Sequence, residues 1–200
     1  MQDIVIRPVK DEDVEALVEI FAPYVKNTAI SFEYEVPSRE IFLERIRTIK
    51  SRYPYLVAER KGELLGYACL HSFIDRKAYD WSAEVTIYMK DSAKGIGLGR
   101  AFYQCLEKIA LLQGIKNINA CIVSPKLEDE YANKNSIQFH SHMGFVKVGT
   151  FHNSGYKFGR WYDMVWMEKI IGKHEENQKD IRPFSDLKKE ELKEVGIDIE

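Results

Sequence analysis

The sequence holds three cysteines in 200 residues, Cys69, Cys105 and Cys121. An odd, scattered set in apolar settings excludes a disulfide scaffold and gives no metal-ligand spacing, so all three read as reduced thiols and no metal is expected. No apolar run approaches the ~18 residues a membrane span needs, and residues 1–20 lack the apolar region of a secretion signal. The expectation is a soluble, cytoplasmic protein without a membrane partner. Excess positive charge is also missing: 29 Lys and Arg against 31 Asp and Glu leave −2, with a pI near 6.2. That excludes a global basic field for nucleic acid or anionic lipid. There is no internal repeat, no G-x-x-x-x-G-K-[ST] string and no exact G-x-G-x-x-G spacing. With 45% apolar and 30% charged residues, the composition suits one domain with a sizeable core.

What is present alternates between strand-like and helix-like periods. Ile4 and Ile6 mark a short first strand, and Asp11 is a plausible cap for a helix over Glu12–Lys26, with Pro23 kinking or shortening its end. Residues 27–36 suit either an irregular loop or a short edge strand. A helix follows Pro37 over Ser38–Lys50, then a hairpin with strands at Tyr55–Glu59 and Glu63–Phe73 around Lys61-Gly62. Ile118–Val123 reads as a strand. Asn133 or Asn135 can cap a helix that ends at Gly144. Phe145–His152 and Tyr162–Ile171 form a last strand pair. The order β-α-α-β-β-β-α-β-α-β-β defines an α/β layer arrangement. From Gly172 a polar linker leads to a tail with a short helix after Ser185. This tail is either disordered or pinned by Ile181, Pro183, Phe184 and Leu187. The domain is thus expected over residues 1–171 and the linker and tail over 172–200.

The chain is organised around Tyr79–Lys108. Val85, Ile87 and Met89 alternate with Glu84, Thr86 and Tyr88 as in a strand. Gly95, Gly97 and Gly99 break regular structure before a helical pattern resumes. Glycines at a helix N-terminus let a ligand approach and leave amides free for a phosphate or pyrophosphate. Nucleotide loops, coenzyme A loops and plain strand–helix turns all share this pattern. Glu84 on a strand is either a solvated side chain or, partly buried, a carboxyl with raised pKa suited to general-base work. His140 and His142 lie two apart on a helix and cannot share a face, so a structural role is the default for either. Arg76 suits a carboxylate or phosphinate, and Tyr79 and Trp81 an aromatic wall, although a solvated loop with tucked aromatics fits these residues as well.

The strand ending Glu84-Val-Thr-Ile-Tyr88, followed by Lys94-x-x-Gly97-x-Gly99, resembles the acetyl-coenzyme A core of the GCN5-related N-acetyltransferases (GNAT), and specifically the phosphinothricin and methionine sulfoximine acetyltransferases. The resemblance spans about residues 3–170, with Lys94 where Gln or Arg is commoner. It implies the GNAT fold: a mixed, mostly antiparallel central sheet flanked by helices, with splayed central strands binding acetyl-CoA. It implies N-acetylation of a small-molecule amine, an amino acid or analogue, with Glu84 as general base and His140 near the coenzyme sulfur or the acceptor. The coenzyme would be held by Ile87, Tyr88, Met89, Lys94, Gly95, Ile96, Gly97, Leu98, Gly99, Arg100, Asn133 and Ser136. The string Arg76-x-Ala-Tyr79-x-Trp81 matches a subgroup acceptor segment, and Phe32 and Tyr156 join it as lining. A homodimer through the last strands and tail is expected. Peptide or protein N-acetylation, or a non-catalytic acetyl-CoA-binding regulatory module, are the competing readings. One departure is an acidic stretch, Glu128, Asp129 and Glu130, which is either a surface turn or a lid favouring basic acceptors.

Overall fold

A computed structural model describes residues 3–199 of the chain. Seven strands form one sheet in the order β1-β2-β3-β4-β5-β7-β6. They are β1 (Val5–Pro8), β2 (Tyr55–Arg60), β3 (Glu63–Ser72), β4 (Ser82–Met89), β5 (Asn117–Ser124), β6 (Val146–Lys157) and β7 (Arg160–Ile170). All neighbours are antiparallel except β4 and β5. Those two pair only at Ser82 with Asn117, Ala83 with Ile118 and Glu84 with Asn119. Beyond these positions they diverge, β4 to Met89 and β5 to Ser124, and open a V in the middle of the sheet.

Strand alternation sorts side chains onto two helical layers. Leu56 and Ala58 of β2 join Val85 of β4 on the face covered by α3 (Leu98–Gln113). Tyr55 and Val57 face the other way, against α1 (Val14–Asn27) and α2 (Arg39–Lys50). α2 starts where Ser38 accepts a hydrogen bond from the Ile41 amide at 3.3 Å. α3 stops at Gly114, whose φ of +93° supplies the left-handed turn that glycine adopts without strain. α4 (Asn135–His142) returns over β5.

Several local expectations need correction. The first helix begins at Val14 after a 3-10 turn over Asp11–Asp13. Asp13, not Asp11, closes that turn, accepting from the Lys10 amide at 2.7 Å and from Arg7 at 2.8 Å. Asp11 is drawn away to α2, where it meets Arg47 at 2.7 Å and Lys50 at 2.5 Å. Of the two readings of residues 27–36, the irregular loop is the one that forms, since residues 28–38 contain no strand. The last two strands run on to a two-residue turn at Phe158-Gly159, both with positive φ.

The tail is docked. Ile181, Leu187, Leu192 of α5 (Lys189–Glu194) and Ile197 are buried in the α3-side core. The Asp198 amide donates to Ile6 O at 2.8 Å, which ties the tail to β1. The tail also grips the closed end of the V. Trp81, just ahead of β4, donates its indole N–H to Lys179 O at 2.7 Å, and His174 Nε2 meets Asn117 Oδ1 of β5 at 2.7 Å.

Candidate active site

Glu84 occupies the last position at which β4 and β5 pair, so its carboxyl stands at the apex of the V. Alternation places Glu84, Thr86 and Tyr88 on the face opposite Val85. Among the described residues no cation, hydroxyl or amide reaches the Glu84 carboxyl, and burial alone pushes its pKa up to about 7. It lines a cavity of about 370 Å³ with Ser31, Phe32 and Glu33, the diverging halves of β4 and β5, and Tyr103, Ser136 and His140. A carboxyl that changes charge near neutrality, open to a cleft and committed to no partner, is chemically a proton acceptor in waiting.

Two histidines flank this carboxyl in different ways. His71 sits directly opposite Glu84 across β3 and β4. Its Nδ1 lies 3.2 Å from Ser72 O, so that nitrogen carries the proton and Nε2 accepts from the Thr86 hydroxyl at 3.2 Å. Burial lowers its pKa and keeps the ring neutral. His140 is 4% exposed. Its Nδ1–H donates to Ser136 O at 2.7 Å, and its Nε2 accepts from the Tyr103 hydroxyl at 2.6 Å. Both ring nitrogens are therefore engaged inside the protein, and burial again lowers the pKa. The group His140 orients toward the cleft wall is Tyr103, which the sequence reading missed. An isolated Tyr inside the apolar pattern of α3 carries no signal that its hydroxyl has a partner.

The residues expected to hold acetyl-CoA fall along one path. Lys90 N–H bonds Leu65 O toward β3, so by alternation Ile87 and Met89 turn their backbone groups to the open side of β4. Tyr24 occupies the Met89 end of that row: its hydroxyl donates to Met89 O at 2.5 Å and accepts from Met89 N at 3.3 Å. Ile87, Tyr88 and Ser136 line the cleft, while Met89, Lys94 and Asn133 line an adjoining hollow of about 300 Å³. Asn133 accepts from the Asn135 amide at 3.0 Å and so also shapes the entry to α4. Gly95 and Gly97 have φ of +77° and +86°, and a side chain added at either would meet open space. Their freedom of conformation, rather than a need for room, keeps them glycine. Gly97 is the N-cap of α3 and gives no side-chain cap, so the Leu98, Gly99 and Arg100 amides begin the helix without intrahelical acceptors. Exposed Ile96 completes the loop, with Lys94 beside Asp91 at 2.6 Å and over the Tyr24 ring at 5.3 Å. These donors and the open V fit an extended, phosphate-bearing thioester such as acetyl-CoA. Among the described residues no cluster of metal-ligating side chains occurs.

The acceptor side departs from expectation. Phe32 lines the cleft, but Arg76, Tyr79, Trp81 and Tyr156 line neither it nor the larger cavity beside it. Trp81 is turned to the tail, and Tyr156 is exposed and packs at a tilt on Trp161, with ring centroids 5.0 Å apart. Tyr79 packs on Phe73 at 6.0 Å, and Phe73 on Trp166 at 5.3 Å, one aromatic row on the sheet surface. Arg76 is exposed, and among the described residues its guanidinium meets no partner. The acidic stretch is no free lid. Asp129 accepts from the Tyr131 and Ala132 amides at 2.8 Å and from Tyr162 at 3.0 Å, and Asp129 and Glu130 both bind Arg160. Glu128 accepts from the Lys134 amide at 2.8 Å.

A sheet split between one parallel strand pair, with a glycine-capped helix after the first strand and a lone carboxyl at the apex, defines an acyl-coenzyme A transferase architecture. The model of the acetyltransferase (GNAT) domain matches residues 6–166, and the chain belongs to that family. Phosphinothricin N-acetyltransferase of Streptomyces viridochromogenes is 31% identical over 82% of this chain and 86% of its own length. The Alcaligenes faecalis enzyme of the same name is 35% identical over 83% and 82%. A phosphinothricin acetyltransferase structure from Sinorhizobium meliloti in complex with acetyl-CoA superposes with a TM-score of 0.79 at 29% identity, covering 92% of this chain and 98% of that one. The fold and family are those of acetyl-CoA-dependent acetyltransferases.

Proposed function

We propose that this protein transfers the acetyl group of acetyl-CoA to the primary amine of a small molecule, an amino acid or analogue, with Glu84 as the general base. The observation that carries the reading is the unpartnered Glu84 carboxyl at the apex of the V, held near a pKa of 7 by burial. Ionised, it takes a proton from the acceptor's ammonium, directly or through a water. The amine nitrogen then bonds to the acetyl carbon, the carbon–sulfur bond breaks, and the departing thiolate takes up the second proton that the nitrogen sheds as the amide forms. The Ile87 amide, on the open side of β4 beside Tyr88, serves to stabilise the developing oxyanion, an effect of ~2–4 kcal/mol for a well-aimed donor. His140 acts by holding the Tyr103 hydroxyl at the cleft wall.

The amino-acid class of acceptor is supported by the named activities of the phosphinothricin relatives and of the Escherichia coli L-amino acid N-acyltransferase MnaT, 28% identical over 82% of this chain. Arg76, exposed and without a partner among the described residues, suits an acceptor carboxylate by its chemistry, although it lines neither the cleft nor the larger cavity. The edge strand β6 exposes Val146, Val148 and Phe151, beside Trp161 of β7, a surface that a second copy would cover as a homodimer.

The test is acetyl-CoA consumption, read as free thiol, over amino acids, methionine sulfoximine, phosphinothricin, polyamines and short peptides. Turnover on amino acids is expected. Binding of acetyl-CoA with no turnover on any amine would instead indicate a non-catalytic module.

A further inference from the structure

Beside the cleft lies a second cavity of about 530 Å³, between α2 and strands β2–β4 and open to solvent on one side. The two spaces share Glu33, Thr86 and Tyr88 as lining, so they lie side by side on the Glu84 side of the sheet. The walls of the larger one are a continuous aromatic chain. Tyr55 stacks on Tyr67 at 5.6 Å, Tyr67 leans on Tyr88 at 5.6 Å and on Phe42 at 6.1 Å, and Phe21 closes on Tyr88 at 4.8 Å.

Both arginines of its lining are already paired with carboxylates, and Asp75 adds a negative charge at the rim. Arg45 is bidentate to Glu33 at 2.7 and 3.2 Å, and Arg52 meets Asp80 at 2.7 Å. His71 at its inner end is held neutral by burial, with both ring nitrogens engaged. An interior of this kind accepts apolar surface and penalises an unpaired charge.

We infer that this aromatic chamber receives the acceptor's side chain, and that the preferred acceptors are amino acids with large uncharged side chains, aromatic or long aliphatic, rather than small or anionic ones. The inference rests on the acetyl-transfer reading for its location beside Glu84. A methyl group would leave the chamber to water, and a phosphinate would enter it without a counter-ion. Burial of an aryl side chain in place of a methyl is expected to give a preference of about 10- to 100-fold.

The experiment compares kcat/KM for L-phenylalanine, L-leucine, L-alanine and phosphinothricin at saturating acetyl-CoA. It is paired with Thr48→Trp, which adds bulk from the exposed side of α2 at the chamber's lining. Phenylalanine and leucine should exceed alanine and phosphinothricin by tenfold or more, and Thr48→Trp should lower the phenylalanine-to-alanine ratio at least tenfold. Equal rates for all four in the wild-type protein would overturn the chamber assignment and leave acetyl transfer standing. If no amine is acetylated, calorimetry of N-acetyl-L-phenylalanine against N-acetyl-L-alanine, with coenzyme A present, decides the matter. Tenfold tighter binding of the phenylalanine compound supports the chamber even though the acetyl-transfer reading has failed; equal or absent binding removes it.

Discussion

Gly155 is where the cleft is most sensitive to a single methyl group. A Cβ at this position of β6 would lie 2.2, 2.5 and 2.7 Å from three atoms of the Phe32 ring. Ordinary carbon contacts need about 3.5–4 Å, so the ring must retreat by more than about 1 Å. Phe32 has little freedom to do so: it leans on Tyr162 at 6.5 Å, and Lys157 pins its loop by bonding the Ser31 carbonyl at 2.6 Å. Overpacking of this kind costs about 1–3 kcal/mol, which for a chain of this size lowers Tm by about 2–12 °C. Because Phe32 lines the cleft, Gly155→Ala should also reduce kcat/KM for any acceptor by about tenfold or more. Thermal denaturation followed by circular dichroism and the thiol-release assay read the two effects. A smaller ring-site residue should relieve the strain, so Phe32→Leu combined with Gly155→Ala should show a coupling of about 1 kcal/mol or more in a double-mutant cycle. An alanine variant as stable and active as the parent would refute the contact between β6 and the loop.

Three further outcomes follow from the same geometry. Glu84 is raised from 4.5 to about 7 in the folded protein, so its contribution to stability is present below its unfolded value and lost as pH rises through about 7. Glu84→Gln should accordingly stabilise the protein by about 1–3 kcal/mol at pH 8 and change little at pH 4, as read by urea titration at the two pH values. Lys157→Met should cost about 2–4 kcal/mol in the same assay, because it strips the shared donor from the Val25, Thr28 and Ser31 carbonyls; a neutral result would mean that water replaces the ammonium without loss. Trp81→Phe removes the bond to Lys179 O and should cost about 1 kcal/mol, with faster amide exchange across residues 174–182; unchanged exchange would show that the apolar anchors alone hold the tail.

The part of the molecule written in local pattern was legible in the sequence. β4, the glycine loop and α3 are fixed by alternation, by left-handed glycines and by helical spacing within some thirty consecutive residues, and Glu84 was identified from its place in that pattern. What sequence reading lost were choices settled by distant partners. In Asp11-Glu12-Asp13 nothing local tells which acid caps the turn; Arg7 and the Lys10 amide take Asp13, and α2 takes Asp11. Phe158 at φ +51° hides the two-residue turn, because the signal expected there is Asn or Gly. Trp81 suits a pocket wall as well as an anchor until Lys179, far along the chain, is seen to accept its N–H. The acidic stretch suits a surface turn or a lid alike until Arg160 of β7 is seen to hold it as a turn. His140 was found through the resemblance, yet the Tyr103 hydroxyl it holds was invisible, since α3 and α4 meet only in three dimensions.

The central claim is that Glu84, partnerless at the apex of the V, is the base that frees the acceptor amine. The direct test is the pH dependence of kcat/KM for the best amino acid acceptor in the parent protein and in Glu84→Gln, with acetyl-CoA affinity followed by calorimetry. The parent should lose activity as pH falls through about 7, the pKa that burial gives this carboxyl. The variant should bind acetyl-CoA normally, turn over about 10²- to 10⁴-fold more slowly, and lack that titration. A Glu84→Gln protein with the parent's rate and the parent's pH profile would contradict the account.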